Sequence, residues 1–248
     1  MIHCCRRAAP WLAGVATLAG VLGTSHAQTA ANDASAAAPF GSPIEDQSIL
    51  FHAELDQFEE RLDANANGLR WDGEAWVGTD ENRFWLKSEG YVTARKTRDG
   101  QDEALYDRPL TTYFDLQAGV RYDLDSYAGR GWGVIGLQGL APFNIKIAAT
   151  AYASDAGHYA LKLSGAYELL LTQRLVLEPQ WELNGYTRSD AAMQVRSGWS
   201  QLDGGLRLRY EIRRKFAPYL GAAYTHLPAP AEKYADQWRF VAGIRLWY

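Results

Sequence analysis

Hydrophobic and polar residues alternate along most of the chain from residue 49 onward. The clearest segment is TYFDLQAGVRYDLD at 112–125, where apolar residues occupy every second position from Phe114 to Leu124. Successive side chains of a strand point to opposite faces, so this segment predicts a strand with one apolar and one mainly polar face. The repeated pattern predicts twelve strands, at 49–60, 69–77, 82–95, 102–108, 112–125, 131–141, 143–154, 158–171, 174–186, 199–212, 216–227 and 237–248.

Two of these strands are irregular. The first, FHAELDQFEERL, alternates weakly and is also compatible with one or two helical turns. The strand at 174–186 contains Pro179, which has no N–H donor for the ladder, so we expect a β-bulge there.

The strands and their connections predict a transmembrane antiparallel β-barrel. Short turns at 141–142, 172–173 and 213–215 alternate with longer loops at 61–68, 126–130, 187–198 and 228–236, as in outer-membrane barrels with periplasmic turns and external loops. The last nine residues, FVAGIRLWY, form an alternating strand that we expect to pair with the first and close the barrel. A soluble barrel or sandwich would turn its apolar face inward, but the dense opposite charges on the polar face favour lipid outside the barrel.

Composition agrees with this prediction. The net charge of −4 and pI of about 5.8 give no basic field, so we expect no nucleic-acid partner. Mean hydropathy is −0.30, which suits an outer-membrane barrel because the lumen-facing half of each strand is polar. Six tryptophans are predicted to form an interfacial belt: Trp71, Trp132, Trp181, Trp199, Trp238 and Trp247.

The N-terminal region predicts export. Residues 1–27 have the basic, apolar and small-residue parts of a cleaved signal peptide, and residues 28–48 are predicted to be a flexible periplasmic lead-in to a barrel at 49–248. Both cysteines, Cys4 and Cys5, lie in the segment to be removed, so the mature chain would have neither a disulfide nor a thiolate metal site.

Several long stretches carry a specific resemblance. They are WDGEAWVGTDENRFWLKSEG at 71–90, FDLQAGVRYD at 114–123, LQGLAPF at 137–143, YELLLTQRLVLEPQWELN at 167–184, GLRLRYEIRRKFAPYLG at 205–221 and the terminal RFVAGIRLWY. Together they resemble the outer-membrane copper-resistance protein B family (CopB/PcoB). The resemblance implies a barrel in the outer membrane of a Gram-negative bacterium that binds or moves copper ions, with a periplasmic multicopper oxidase as partner.

The chain departs from this family in one respect. Members often carry a Met- and His-rich N-terminal extension suited to copper, whereas residues 28–48 contain neither Met nor His. After cleavage the chain would hold one methionine, Met193, and three histidines, at 52, 158 and 226. Either the barrel itself or a partner would then have to supply the copper ligands.

The candidate site consists of charged residues on the polar face of the predicted strands, which would point into the lumen. These residues are Asp72, Glu74, Lys87, Glu89, Arg95, Asp115, Arg121, Asp123, Lys162, Glu168, Glu178, Glu182, Asp203, Arg207, Arg209, Glu211 and Arg245. One interpretation is a structural salt-bridge network that fills a narrow lumen, since charges withdrawn from water must be paired. The other is a carboxylate-lined cation path, with Asp72, Glu74, Glu89 and His52 as candidate metal ligands. His158 is expected at the opposite end of the barrel, and Met193 is isolated.

Three functions are compared. The resemblance favours a non-enzymatic copper-resistance barrel, and the alternative is a small porin-like or structural barrel without copper specificity. An outer-membrane phospholipase would need a lipid-facing histidine with a serine in reach. His158 falls on the polar face, and His226 has no obvious serine partner, so we predict that the chain is not an enzyme.

Overall fold

The computed structural model describes residues 48–62, 67–93, 96–124, 129–154, 157–190, 195–213, 215–226 and 237–248. The predicted signal peptide at 1–27 and almost all of the lead-in at 28–48 lie outside these residues, so both stay predictions. Arg95 and Met193 lie outside them as well. Across the part of the chain that is described, no helix is long and apolar enough to cross a membrane.

The strands form one antiparallel sheet that closes on itself. They are β1 (Leu50–Leu62), β2 (Gly68–Gly78), β3 (Arg83–Thr93), β4 (Lys96–Pro109), β5 (Phe114–Leu124), β6 (Gly129–Ala141), β7 (Ile145–Ser154), β8 (Tyr159–Ala166), β9 (Leu169–Leu170), β10 (Leu175–Tyr186), β11 (Gly198–Tyr210), β12 (Phe216–His226) and β13 (Gln237–Trp247). Each strand pairs with its neighbour, and β8 and β9 both pair with β10 as two pieces of one strand. β1 pairs with β13, from Glu54 opposite Trp247 to Leu62 opposite Phe240. The closed barrel of twelve strands is therefore confirmed.

The two faces of the sheet divide as the alternation predicts. On β13, Phe240 is 76% exposed on the outer surface whereas Val241 is 2% exposed and turned inward. On β5, the outward side chains include the exposed Val120 and Leu124, and the inward Asp123 is buried. Apolar side chains outside and charged side chains inside are the reverse of a soluble barrel, so the soluble alternative is wrong.

β4 begins six residues earlier than the predicted strand at 102–108. Residues 96–101 have no apolar alternation, but their backbone continues the pairing with β3 as far as Thr93 opposite Lys96. A register shift between Glu89 and Tyr91 accommodates this extension. The backbone hydrogen bonds between strands do not require any particular side chain. A strand end made of polar residues is therefore not recognised from the hydrophobic alternation alone.

The weakly alternating first segment is a strand and not a helix. Register shifts at Leu55–Gln57 in the pairing of β1 with β2, and at Leu55–Phe58 in its pairing with β13, place a β-bulge at this point. Asp56 and Gln57 are adjacent in sequence and both line the lumen. The bulge thus shifts the inward phase by one residue, which explains why the alternation looks irregular.

The bulge expected at Pro179 is absent. Pro179 pairs in register with Leu206 of β11, and the irregularity lies instead in the neighbouring strand, which is interrupted between β8 and β9. The Tyr167 backbone N–H donates to the Pro179 carbonyl at 3.1 Å, so Pro179 turns its donorless nitrogen toward this interruption. The missing donor is therefore accommodated by a break in the partner strand and not by an extra residue.

Two of the six predicted belt tryptophans are not on the lipid-facing side. Trp181, Trp199 and Trp238 are exposed on the outer surface, as expected. Trp132 is 5% exposed and donates its indole N–H to the buried Asp123 at 2.7 Å, so it belongs to the interior. Trp247 is two residues from Arg245 and points to the same inward face of β13. The Arg245 guanidinium lies 5.5 Å from the centroid of the Trp247 ring. A tryptophan near a strand end is therefore assigned to the belt only when its phase points outward.

Candidate functional site in the barrel lumen

The lumen contains a main cavity of about 450 Å³ and a smaller one of about 50 Å³. Ten acidic side chains line the main cavity: Glu54, Asp56, Asp72, Glu74, Glu89, Glu103, Asp115, Glu178, Glu182 and Asp203. Six basic side chains line it too: Arg61, Arg70, Lys87, Lys146, Lys162 and Arg207. Both of the interpretations made from the sequence, an ion-pair network and a space lined by carboxylates, therefore describe part of this interior.

One part of the network surrounds Glu59, whose side chain is completely buried. Its carboxylate accepts hydrogen bonds from Arg61 Nε at 2.8 Å and from Arg207 Nε and Nη2 at 2.8 and 2.9 Å. The Tyr219 hydroxyl donates a fourth bond at 3.1 Å. These contacts connect β1 to β11 and β12 through the interior, so the cluster fixes one side of the barrel.

A second part of the network lies toward the end of the barrel where β13 ends. Arg245 contacts both Glu54 and Asp56 of β1, with Nε at 3.0 Å from Asp56. It also reaches Glu168, at the interruption between β8 and β9, at 3.1 Å. Lys146 contacts the same Glu168 carboxylate at 3.2 Å. The break opposite Pro179 is thus stabilised by two basic side chains from inside.

A third part consists of four side chains that cross the lumen: Arg70 of β2, Glu89 of β3, Lys162 of β8 and Glu182 of β10. Lys162 forms ion pairs with Glu89 and, at 3.5 Å, with Glu182. Arg70 lies 3.5 Å from Glu89 and 3.8 Å from Glu182. We call this set the cross-lumen quartet. Each cation contacts both carboxylates, so the four charges balance.

The lumen also contains an apolar cluster. Trp85, Leu105, Trp132, Val134 and Tyr152 form a buried cluster inside the barrel. Tyr152 donates its hydroxyl to Glu103 at 2.9 Å. The cluster fills space between β3 and β7, and charged side chains pack on it, with Lys87 5.2 Å from the Trp85 ring centroid and Arg121 4.6 Å from that of Tyr152.

Asp72 and Glu74, two of the predicted metal ligands, lie side by side on the inward face of β2 and line the main cavity. Among the residues that the structure describes, neither carboxylate has a hydrogen bond or an ion-pair partner within 4.0 Å. Lys87 is directly opposite Glu74, but its ammonium donates to Gln117 at 3.0 Å and Gln138 at 2.8 Å instead.

Glu89 and His52 are arranged differently from each other. Glu89 is directly opposite Asp72 in the β2–β3 pair and lines the same cavity, where it also belongs to the quartet.

His52 does not line the cavity; it lies 3.7 Å from Glu54 and faces Trp76, with ring centroids 6.1 Å apart. The structure thus brings three of the four predicted ligands together. Within the described ranges, no group of three or more His, Cys, Asp or Glu residues is arranged to hold a metal ion.

Several important lumen residues were missed from the sequence. Arg70 shares the inward parity of Asp72 and Glu74, so the alternation of β2 could have identified it. Glu54, Asp56 and Glu59 were missed because the bulge in β1 changes the phase between them. No pattern in a single sequence marks the position of such a bulge.

Comparisons with known proteins agree with the geometry. The family model for copper resistance protein B precursor (CopB) matches residues 49–248. The chain is 37% identical to copper resistance protein B of Escherichia coli over 227 residues, covering 87% of this chain and 77% of that one. It is also 37% identical over 215 residues to the copper resistance protein B homolog of Pseudomonas syringae pv. tomato, covering 84% and 73%.

Among solved structures, the NanC porin matches with a TM-score of 0.52 and 12% identity, covering 79% of this chain and 99% of that one. At that identity the likeness shows the fold alone, a barrel of the Gram-negative outer membrane whose apolar outer surface contacts lipid. The family match and the two relatives extend over almost the whole described barrel. The chain therefore belongs to the copper resistance protein B family.

Proposed function

We propose that this barrel acts in copper resistance by taking copper ions into its lumen, with Asp72 and Glu74 as the first groups to bind them. Family membership supports the copper-resistance role. The observation that supports the site is that, among the described residues, neither of these two cavity-lining carboxylates has a hydrogen-bond or ion-pair partner within 4.0 Å, whereas the neighbouring Glu54 and Glu89 are ion-paired. An unpaired carboxylate in a narrow space attracts cations, because its charge is not balanced by the protein.

The register of β2 supplies a geometric reason for cation binding. Asp72 is directly opposite Glu89 on β3, and Glu74 is directly opposite Glu54 on β1. Like charges at directly opposite positions destabilise a sheet, since their Cβ atoms are only about 4.5–5.5 Å apart. A divalent cation between two such carboxylates would replace this repulsion with attraction, and oxygen ligands bind Cu(II) without being selective for it.

The charge of the cavity wall favours cations as well. Acidic side chains outnumber basic ones on this wall by ten to six. An excess of acidic over basic groups in a cleft raises the local concentration of cations. His52, next to Glu54, would add an imidazole ligand for copper close to the Glu54–Glu74 pair.

We further infer that the barrel binds or passes copper without catalysing a reaction, in line with its family. The family resemblance also supports a periplasmic multicopper oxidase as partner, which would meet the barrel at its periplasmic mouth. A porin-like barrel without copper specificity is the alternative.

The test is the copper tolerance of a deletion strain that carries one of three copies of the gene. These encode the wild type, the double variant Asp72→Asn/Glu74→Gln, and a control, Glu60→Gln/Asp102→Asn, that removes two exposed carboxylates. We expect the wild type and the control to restore tolerance and the lumen variant to fail. Zinc and silver tolerance are measured beside it, and the amount of folded barrel in the outer membrane is matched.

Each alternative has its own outcome. Full copper tolerance with Asp72→Asn/Glu74→Gln would show that these carboxylates are not the site. Equal effects of deletion on copper, zinc and silver tolerance would favour a general porin.

A further inference from the structure

The cross-lumen quartet lies between the two cavities. Arg70, Glu89 and Glu182 line both the main cavity and the smaller one, so they form the wall that separates the two spaces. The smaller cavity is also lined by His158, Tyr186 and Gln201, near the end with the long connections. A solute moving through the barrel from one cavity to the other would have to pass this layer.

The quartet also joins opposite sides of the barrel. β2 and β3 carry Arg70 and Glu89, whereas β8 and β10 carry Lys162 and Glu182. In the strand order, four strands separate these two pairs on either side: β4 to β7 on one side, and β11, β12, β13 and β1 on the other. The ion pairs therefore lie across a diameter of the lumen. Their side chains are only 12–19% exposed.

The layer continues sideways into the Glu59 cluster. Gln57 accepts hydrogen bonds from Arg70 Nε at 3.2 Å and from Arg207 Nη2 at 2.9 Å. It also donates to Gln180 of β10 at 2.9 Å. The quartet and these amides form one connected set of polar bonds at this level of the barrel.

We propose that the quartet is the permeability barrier of the lumen and determines its specificity: a divalent cation held between Asp72 and Glu89 draws Glu89 away from Lys162 and Arg70 and opens the passage. The role of the cation rests on the proposed function. The barrier itself rests only on the position and pairing of the four side chains.

The exchange of partners follows from charge balance. In the closed arrangement two cations balance two carboxylates. Asp72 lies directly opposite Glu89 and has no hydrogen-bond or ion-pair partner within 4.0 Å in the described part of the chain. The two negative charges of Asp72 and Glu89 neutralise a divalent cation. A monovalent cation is attracted to the same two carboxylates about half as strongly, so it offsets less of the free energy needed to separate Glu89 from its partners. Lys162 and Arg70 would keep Glu182, which stays within 3.8 Å of both in the closed arrangement.

The barrier is tested by single-channel recording of the purified full-length barrel in planar bilayers in potassium chloride. Lys162→Ala removes one of the two cations that contact both carboxylates, and we expect a severalfold rise in unitary conductance over the wild type. Lys146→Ala is the matched control, because Lys146 lines the same main cavity but contacts Glu168 and not the quartet. Its conductance should equal that of the wild type.

Two further measurements complete the test. Cu(II) added to the bath should increase the open probability of the wild type and leave Asp72→Asn unchanged. If Lys162→Ala does not give the heat-modifiable gel mobility of a folded barrel, Glu182→Gln replaces it. Glutamine keeps the side-chain size and removes the ion pairs of Glu182 with Lys162 and Arg70, so a rise in conductance is likewise expected.

The results separate the barrier from the proposed function. Equal conductance of the quartet variant and Lys146→Ala would overturn the barrier, even if Asp72→Asn/Glu74→Gln lost copper tolerance. Raised conductance in the quartet variant with no response of the wild type to Cu(II) would overturn the opening mechanism. Raised conductance together with a Cu(II) response that requires Asp72 would support the whole proposal.

Discussion

Replacing Glu59 with glutamine is predicted to destabilise the barrel by about 3–5 kcal/mol, the usual cost of removing one partner from a buried ion pair. The Glu59 carboxylate is completely buried and accepts four hydrogen bonds, three of them from the guanidinium groups of Arg61 and Arg207. Glutamine keeps one acceptor oxygen and replaces the other with an amide donor that would face existing donors. Each hydrogen bond to a charged group contributes about 1.5–3 kcal/mol, so the loss of two accounts for this range.

The assay is urea-induced unfolding of the barrel in lipid vesicles, followed by tryptophan fluorescence. A fall in the midpoint with an unchanged slope against urea would show a change in the free energy of unfolding. Glu60→Gln is the control, because Glu60 is the next residue, faces outward and accepts a single bond from exposed Asn67 at 3.3 Å. Its effect should stay within about 0.5 kcal/mol. If the two variants unfolded at the same urea concentration, the Glu59 cluster would not contribute to stability as argued.

Two other predictions concern the barrel wall. Val120→Arg places a charge near the middle of the lipid-facing side of β5 and should cost about 2–4 kcal/mol in the same assay, whereas Leu124→Arg, at the end of that strand, should cost about 0–1 kcal/mol. Equal costs would contradict the assigned membrane position. Gly119→Ala should destabilise the barrel by about 1–3 kcal/mol, because the new Cβ would lie 2.1 Å from the backbone oxygen of Ala104. The control is Gly131→Ala, where nothing lies within 4 Å; a cost as large as that of Gly119→Ala would show that strand spacing is not the reason.

The fold could be predicted from the sequence because lipid outside and polar groups inside impose the same period on every strand. That constraint acts on side chains. The predictions of strand bounds and facing were therefore wrong where the backbone conformation does not depend on the type of side chain. The early start of β4 depends on ladder hydrogen bonds, and the bulge at Asp56–Gln57 changes the phase without any mark in the residue types. Trp132 was misassigned because its position near a strand end was given more importance than its inward phase.

The site could be predicted only in part, for a related reason. Phase shows that Asp72, Glu74 and Glu89 face the lumen, and pairing of neighbouring strands shows which residues are directly opposite. Neither the alternation nor the strand pairing shows contacts across the lumen, such as that of Lys162 with Glu89. These contacts depend on the curvature of the closed sheet and on the length and conformation of each side chain. The quartet therefore emerges only from the three-dimensional structure.

Within the described residues Glu74 has no ion-pair partner within 4.0 Å, and a shortage of basic groups does not explain this. Lys87 is directly opposite it, yet bonds to two glutamines farther along the wall, while Arg245 neutralises the adjacent Glu54 from β13. Leaving a carboxylate without a partner in a confined lumen costs free energy, whereas a purely structural filling would use the nearest cation. Among the described residues Asp72 and Glu74 have no ion-pair partner within 4.0 Å beside the cavity, whereas every member of the quartet is paired. Our proposal that an incoming cation binds before the passage opens requires this difference.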